Sequence, residues 1–119
     1  MEQAKRDLDK EPLWLAHGVP TRWLWVVWHP ENFKYGQNVD IGAFTAIFAH
    51  YGVTIEDDVQ IGSHCSIYSL NTINGTQGPV VIRKGAMIGS HSIILPNVTI
   101  GEGVLIKAHS LVRADVDKA

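Results

Sequence analysis

Six histidines, His17, His29, His50, His64, His91 and His109, are the side chains of this sequence best suited to chemistry. An imidazole exchanges its proton near neutral pH, so it can serve as a general base or as a metal ligand. The single cysteine, Cys65, has no partner for a disulfide and none for a metal-binding Cys pair. Any one histidine is more often a solvated surface residue than a site. Several brought onto one ridge would carry more weight, so what matters is the element that positions them.

Charge narrows the classes of function. Ten basic against twelve acidic residues leave a net charge of -2, with no basic run that could track a phosphate backbone. Nucleic acid is therefore not expected as a partner. The N-terminal stretch, residues 1–10, is charged throughout and leads into no long apolar run of the kind that marks a signal peptide or membrane span. A soluble, cytoplasmic protein of one domain is the expectation at 119 residues.

The positioning element is a six-residue period. Tyr35, Ile41 and Ile47 fall in register, followed by Ile55, Ile61, Ile67 and Ile73, and then by Ile82, Ile88, Ile94, Ile100, Ile106 and Val112. Compact residues recur at the fifth position of the hexad, as at Val39, Thr45, Cys65, Ala86 and Ser92, and glycine at the second, as at Gly42, Gly62 and Gly89. A period of six is neither helical nor a plain strand alternation. It fits short strands joined by tight corners, with three hexads to a triangular coil and successive coils stacked at roughly 4.8 Å. The fold class expected is all-β, a parallel β-helix over residues 35–119.

Residues 1–34 lie outside the period and contain Trp14, Trp23, Trp25 and Trp28. They are expected to cap the first coil, because a solenoid has open ends. A short helix is expected over 3–16 and a strand over 21–28. Two insertions break the register, one after the Ile47 hexad and one after the Ile73 hexad, and such bulges at corners are places for binding groups. Counting every hexad, the third, sixth, ninth and twelfth share a corner. That count puts His50, His91 and His109 on one ridge and His64 on another.

The segment from Pro79 to Gly101, with Ile88-Gly89-Ser90-His91-Ser92, resembles the signature of hexapeptide-repeat acyltransferases acting on galactosides, maltose and antibiotics. Ile106-Lys107-Ala108-His109-Ser110 and the residues through Val116 resemble that family's second coenzyme-contacting stretch. The resemblance implies a left-handed coil, a homotrimer with sites between subunits, and acetyl-coenzyme A or another acyl-CoA as co-substrate, with no metal. It implies coenzyme contacts at Ser90, His91, Ala108, His109 and Arg113. Short acyltransferases of surface-polysaccharide and amino-sugar pathways are the most similar, which makes a sugar or sugar nucleotide the implied acceptor.

One departure matters for catalysis. Relatives in the galactoside and maltose branch carry a histidine base where this sequence reads Asn71-Thr72-Ile73, and threonine is not a general base. His50, on the first insertion, is the expected replacement and His64 the second candidate. Tyr51, Asn71 and Thr72 are the expected acceptor contacts. A non-catalytic assembly protein on the same solenoid is the alternative reading. A trimeric zinc carbonic anhydrase is less favoured, because the close histidine pair of that family is missing: His50, His64, His91 and His109 are 14, 27 and 18 residues apart.

Overall fold

The structure is a computed structural model describing residues 15–118. Three parallel sheets form the sides of a triangular prism. The first face stacks Val26–Trp28, Ala46–Phe48, Ser66–Tyr68, Ile93–Ile94 and Leu111–Val112. The second stacks Phe33–Tyr35, Val53–Ile55, Val80–Ile82 and Thr99–Ile100, and the third Asp40–Ile41, Gln60–Ile61, Met87–Ile88 and Leu105–Ile106. The parallel β-helix expected from the six-residue period is thus the fold of the chain.

The isoleucines explain the stacking. Ile41, Ile47, Ile55, Ile61, Ile67, Ile82, Ile88, Ile94, Ile100 and Ile106 are all buried in the prism, each in register with its counterparts in the neighbouring coils. Fully burying such a side chain contributes roughly 1.5–3 kcal/mol, so stability is built coil by coil. Compact residues fill the space behind each corner, and the polar ones among them are satisfied. The Thr45 hydroxyl donates to the Gly62 carbonyl at 2.8 Å and the Ser92 hydroxyl to the Lys107 carbonyl at 3.1 Å.

Ile73 is the exception. It is 92% exposed, at the tip of a hairpin in which Leu70–Asn71 pairs antiparallel with Thr76–Gln77. The first-face column runs Val27, Ile47, Ile67, Ile94, Val112, at intervals of 20, 20, 27 and 18 residues. The long interval holds the hairpin, which leaves the coil after Ser69 and returns at Val80. Ile73 has the right spacing but no place in the core, so counting it as a hexad displaces every later hexad by one face.

The N-terminal segment is partly coil. Val26–Trp28 already pairs with Ala46–Phe48 in the first face, whereas residues 21–25, expected as strand, form a turn closed by the Thr21 amide donating to the Trp25 carbonyl at 2.8 Å. Trp25 is fully buried at this end of the prism, edge-on to Phe33 with ring centroids 6.1 Å apart. The helix expected over 3–16 and Trp14 fall almost wholly outside the described residues.

Each corner turns through one residue in the left-handed region. Asn38 and Asp58 do so between the second and third faces, and Phe44, His64, His91 and His109 between the third and first. Asparagine, aspartate and histidine tolerate that conformation better than most residues. Beside the last of these corners the coils approach closely at Gly42, where a Cβ would lie 2.5 Å from both the Gly62 carbonyl carbon and the Ser63 nitrogen. Both obstacles are backbone and cannot rotate away. Gly42→Ala is therefore expected to cost at least the ~1–3 kcal/mol typical of overpacking, read as a lowered midpoint in urea unfolding.

Candidate active site

With the hairpin removed from the count, the histidines sort onto two corners different from those expected. His64, His91 and His109 share the corner between the third and first faces; His50 lies on the corner between the first and second. The expected ridge of His50, His91 and His109 is not formed. His64, expected elsewhere, takes the place of His50 in it, because the hairpin residues contribute no face.

The first of these corners is a ladder of rings. His64 and His91 stack with centroids 4.7 Å apart and planes 3° apart, and His91 and His109 at 5.0 Å and 15°; Phe44 continues the column at 5.1 Å from His64. Each histidine occupies the left-handed position of the same corner in successive coils, which fixes the spacing. Parallel rings do not aim their in-plane lone pairs at a common point, so the ladder is not a zinc site of the carbonic anhydrase kind. Among the described residues, no group of three or more His, Cys, Asp or Glu side chains is disposed to hold a metal ion. Ser90 and Ala108 lie beside the ladder, and the Ser90 hydroxyl accepts from the Ser63 amide at 3.2 Å. Arg113 is not on this corner; it is exposed, following Val112 at the opposite edge of the first face. Cys65 is buried behind the ladder, and burial pushes its thiol up from the usual range, so it is no nucleophile.

The other corner holds a groove of about 520 Å³, lined by Trp28, Phe48, Tyr68, His50 and the hairpin residues 70–73. One wall is an aromatic ladder on the outside of the first face. Trp28 stacks on Phe48 at 4.6 Å and Phe48 on Tyr68 at 4.7 Å, with planes within 5° of parallel. The register fixes this wall, since Trp28, Phe48 and Tyr68 are aligned across neighbouring strands. The hairpin forms the opposite wall. Its turn is set by the Asn71 side chain accepting the Ile73 amide at 3.1 Å and the Asn74 side chain accepting the Thr76 amide at 3.0 Å.

Of the expected acceptor residues, Asn71 and Thr72 line this groove with His50. Tyr51 lines a neighbouring depression, with Glu31, Asn32, Lys34 and the other side of His50. His50 stands between the two. The adjoining Tyr51 amide is held by the Ser69 hydroxyl at 2.9 Å, and Ser69 in turn donates to the Phe48 carbonyl at 2.6 Å. Burial, and then the nearby His29 and His17, hold the His50 imidazole below the usual histidine range, with Glu31 opposing them. A half-buried, neutral imidazole facing an apolar groove is suited to accept a proton from an incoming hydroxyl or amine. Sequence reasoning missed the aromatic wall, although Trp28, Phe48 and Tyr68 each directly follow a first-face core position.

Comparison with known proteins bears on the family and the fold. Residues 79–114 match the family model described as bacterial transferase hexapeptide (six repeats). The chain is a hexapeptide-repeat protein. It is 35% identical over 104 residues to galactoside O-acetyltransferase of Escherichia coli K12, covering 73% of this chain and 50% of the relative. It is 34% identical over 95 residues to dTDP-4-amino-4,6-dideoxy-D-glucose acyltransferase of E. coli, covering 66% and 50%. This hexapeptide-repeat chain thus spans about half the length of these curated relatives. Among solved structures, it superposes on AntD, an N-acyltransferase of Bacillus cereus in complex with dTDP and 3-hydroxybutyryl-CoA. That match has 25% identity and a TM-score of 0.63, over 82% of this chain and 70% of that one. A hexapeptide-repeat acetyltransferase of Vibrio cholerae complexed with acetyl-coenzyme A shares the fold, at 24% identity and a TM-score of 0.72, over 78% and 56%.

Proposed function

We propose that this protein is a CoA-dependent acyltransferase, acetyl being the first acyl group to test, acting on an amino or hydroxyl group of a sugar or sugar nucleotide. The observation that carries the reading is His50, a half-buried imidazole between an aromatic wall and a hairpin that together form a groove large enough for a small acceptor. The relatives support it: those named act on galactosides and on an amino-dideoxy sugar nucleotide, and AntD was crystallised with dTDP and an acyl-CoA.

In this reading the acceptor lies in the groove and the thioester reaches it from a neighbouring subunit. His50 takes the proton from the acceptor O–H or N–H as its lone pair attacks the thioester carbonyl. The tetrahedral oxyanion collapses, the C–S bond breaks, and the CoA thiolate leaves with the proton returned by the imidazolium. The ladder corner, with Ser90, His91, Ala108 and His109, is the donor side, and His64 belongs to it by its stacking. Arg113 is assigned to the rim of the first face.

Trimerisation completes the arrangement. The outer row of the first face runs Val26, Ala46, Ser66, Ile93 and Leu111, apolar except at Ser66, with Ile93 39% and Leu111 54% exposed in the single chain. This face separates the groove from the ladder within one chain, so packing between copies is what brings a ladder to a groove. A cytoplasmic setting goes with the unpaired Cys65. Light scattering is expected to give the mass of a trimer, and calorimetric titration with acetyl-CoA one donor per chain. A stable monomer that takes up no acetyl-CoA would reject the proposal.

A further inference from the structure

His50 has close neighbours to which the acyl-transfer reading gives no part. The sequence His29-Pro30-Glu31-Asn32 forms a short 3-10 turn just before the second face. Its proline fixes φ at the first position, and His29, in the left-handed region at φ 61°, turns the chain so that Glu31 reaches back. The Glu31 carboxylate meets the His29 Nδ1 at 3.0 Å, and the Asn32 side-chain Nδ2 donates to the His50 carbonyl at 3.1 Å. The His29 ring lies 4.3 Å from that of His50, tilted by 55°. The turn thus fastens a carboxylate–imidazole pair to the coil that carries His50.

We propose that the Glu31–His29 pair is a positioning element for His50, setting the charge of its imidazole and its orientation toward the groove; this rests on the reading of His50 as the base. Three observations support it. First, His50 Nδ1 is buried without a hydrogen-bond partner, so no bond at that nitrogen fixes the ring's tautomer, and burial together with its charged neighbours sets its state. Second, the Glu31 carboxylate faces the His29 ring as an anion: a backbone hydrogen bond and the bond to His29 keep its carboxyl below the ordinary range. Third, His17 Nδ1 accepts the His29 amide at 3.0 Å, which anchors the residue that turns the chain toward His50.

With the two rings 4.3 Å apart, a proton on His29 and a proton on His50 would place like charges against each other. The other charged or titratable groups facing His50 are Lys34 and Tyr51 in the adjoining depression and Tyr68 in the groove. Neither His29 nor Glu31 contacts the acceptor; both act through His50.

The test is an NMR titration of the imidazole resonances in the full-length assembled protein, alongside the pH profile of acyl transfer. His29→Asn keeps a residue that tolerates the left-handed backbone but removes the ring. The midpoint of His50 is then expected to rise, as when a like charge within about 4–6 Å is removed. The acidic limb of kcat should move with it, while the KM for acetyl-CoA stays unchanged. An unmoved His50 midpoint overturns the proposal. A midpoint that rises while the rate profile stays fixed shows the coupling but rejects His50 as the base, so the two failures are distinct. If H29N does not fold, Glu31→Gln tests the pair directly: with the carboxylate charge gone the midpoint of His50 should fall, and an unchanged value overturns the proposal.

Discussion

Replacing His50 with alanine is expected to lower kcat for acyl transfer by roughly 10²–10⁴-fold, the usual worth of a positioned general base. Binding of acetyl-CoA should be almost unchanged, because on the proposed reading the donor lies along the ladder corner and His50 is not on that corner. His64→Ala is the matched control. It removes one ring from the stack between Phe44 and His91 and is expected to raise the KM for the donor more than it lowers kcat. If H64A loses turnover and H50A does not, the two corners have been assigned the wrong way round.

The pH dependence follows from the surroundings of His50. Burial and the neighbouring histidines make protonation harder in the folded protein than in a free imidazole, so the base remains competent below the ordinary histidine value of about 6.5. The acidic limb of the rate profile is expected there. Stability takes the same sign. With a depressed folded-state value, the unfolded chain binds the proton more readily. The contribution is complete above the unfolded value and is lost as pH falls through the folded one.

The second large effect separates two isoleucines six residues apart. Ile67→Ala empties a position fully buried between Ile47 and Ile94 and is expected to cost about 2–5 kcal/mol. Ile73→Ala, at the exposed tip of the hairpin, is expected to stay within about 0.5 kcal/mol. Urea unfolding of the two variants checks this. Equal losses would return Ile73 to the core and restore the corner assignment that the plain six-residue count gives.

Those two residues also show what could be read from the sequence. The period gave the fold because an apolar residue every sixth position can be buried only if the chain turns at that interval. It gave the core from Ile41 through Val112 except at Ile73, and it marked His50 as a residue on an insertion, while Asn71 and Thr72 were marked by the resemblance to the acyltransferases. It could not place the histidines on corners, because spacing alone does not distinguish a strand anchor from a hairpin residue at the same interval. Asn74-Gly75 was the local sign of a turn, since Gly75 adopts φ 73°, and it lay within a stretch that had been counted as coil. The Glu31–His29 pair was hidden for another reason. It becomes a feature only when the 3-10 turn brings it against a residue one coil further on.

The hairpin lengthens one coil to 27 residues without shifting the strands above or below it out of register. A side loop of this kind can change in length and composition while the stacked frame stays as it is. On the proposed reading, the donor corner is written into the repeat, and one wall of the acceptor groove is written into an excursion from it. The two halves of the reaction are then heritable separately: exchanging residues 70–78 would redirect the enzyme to another acceptor while its acyl donor stays the same.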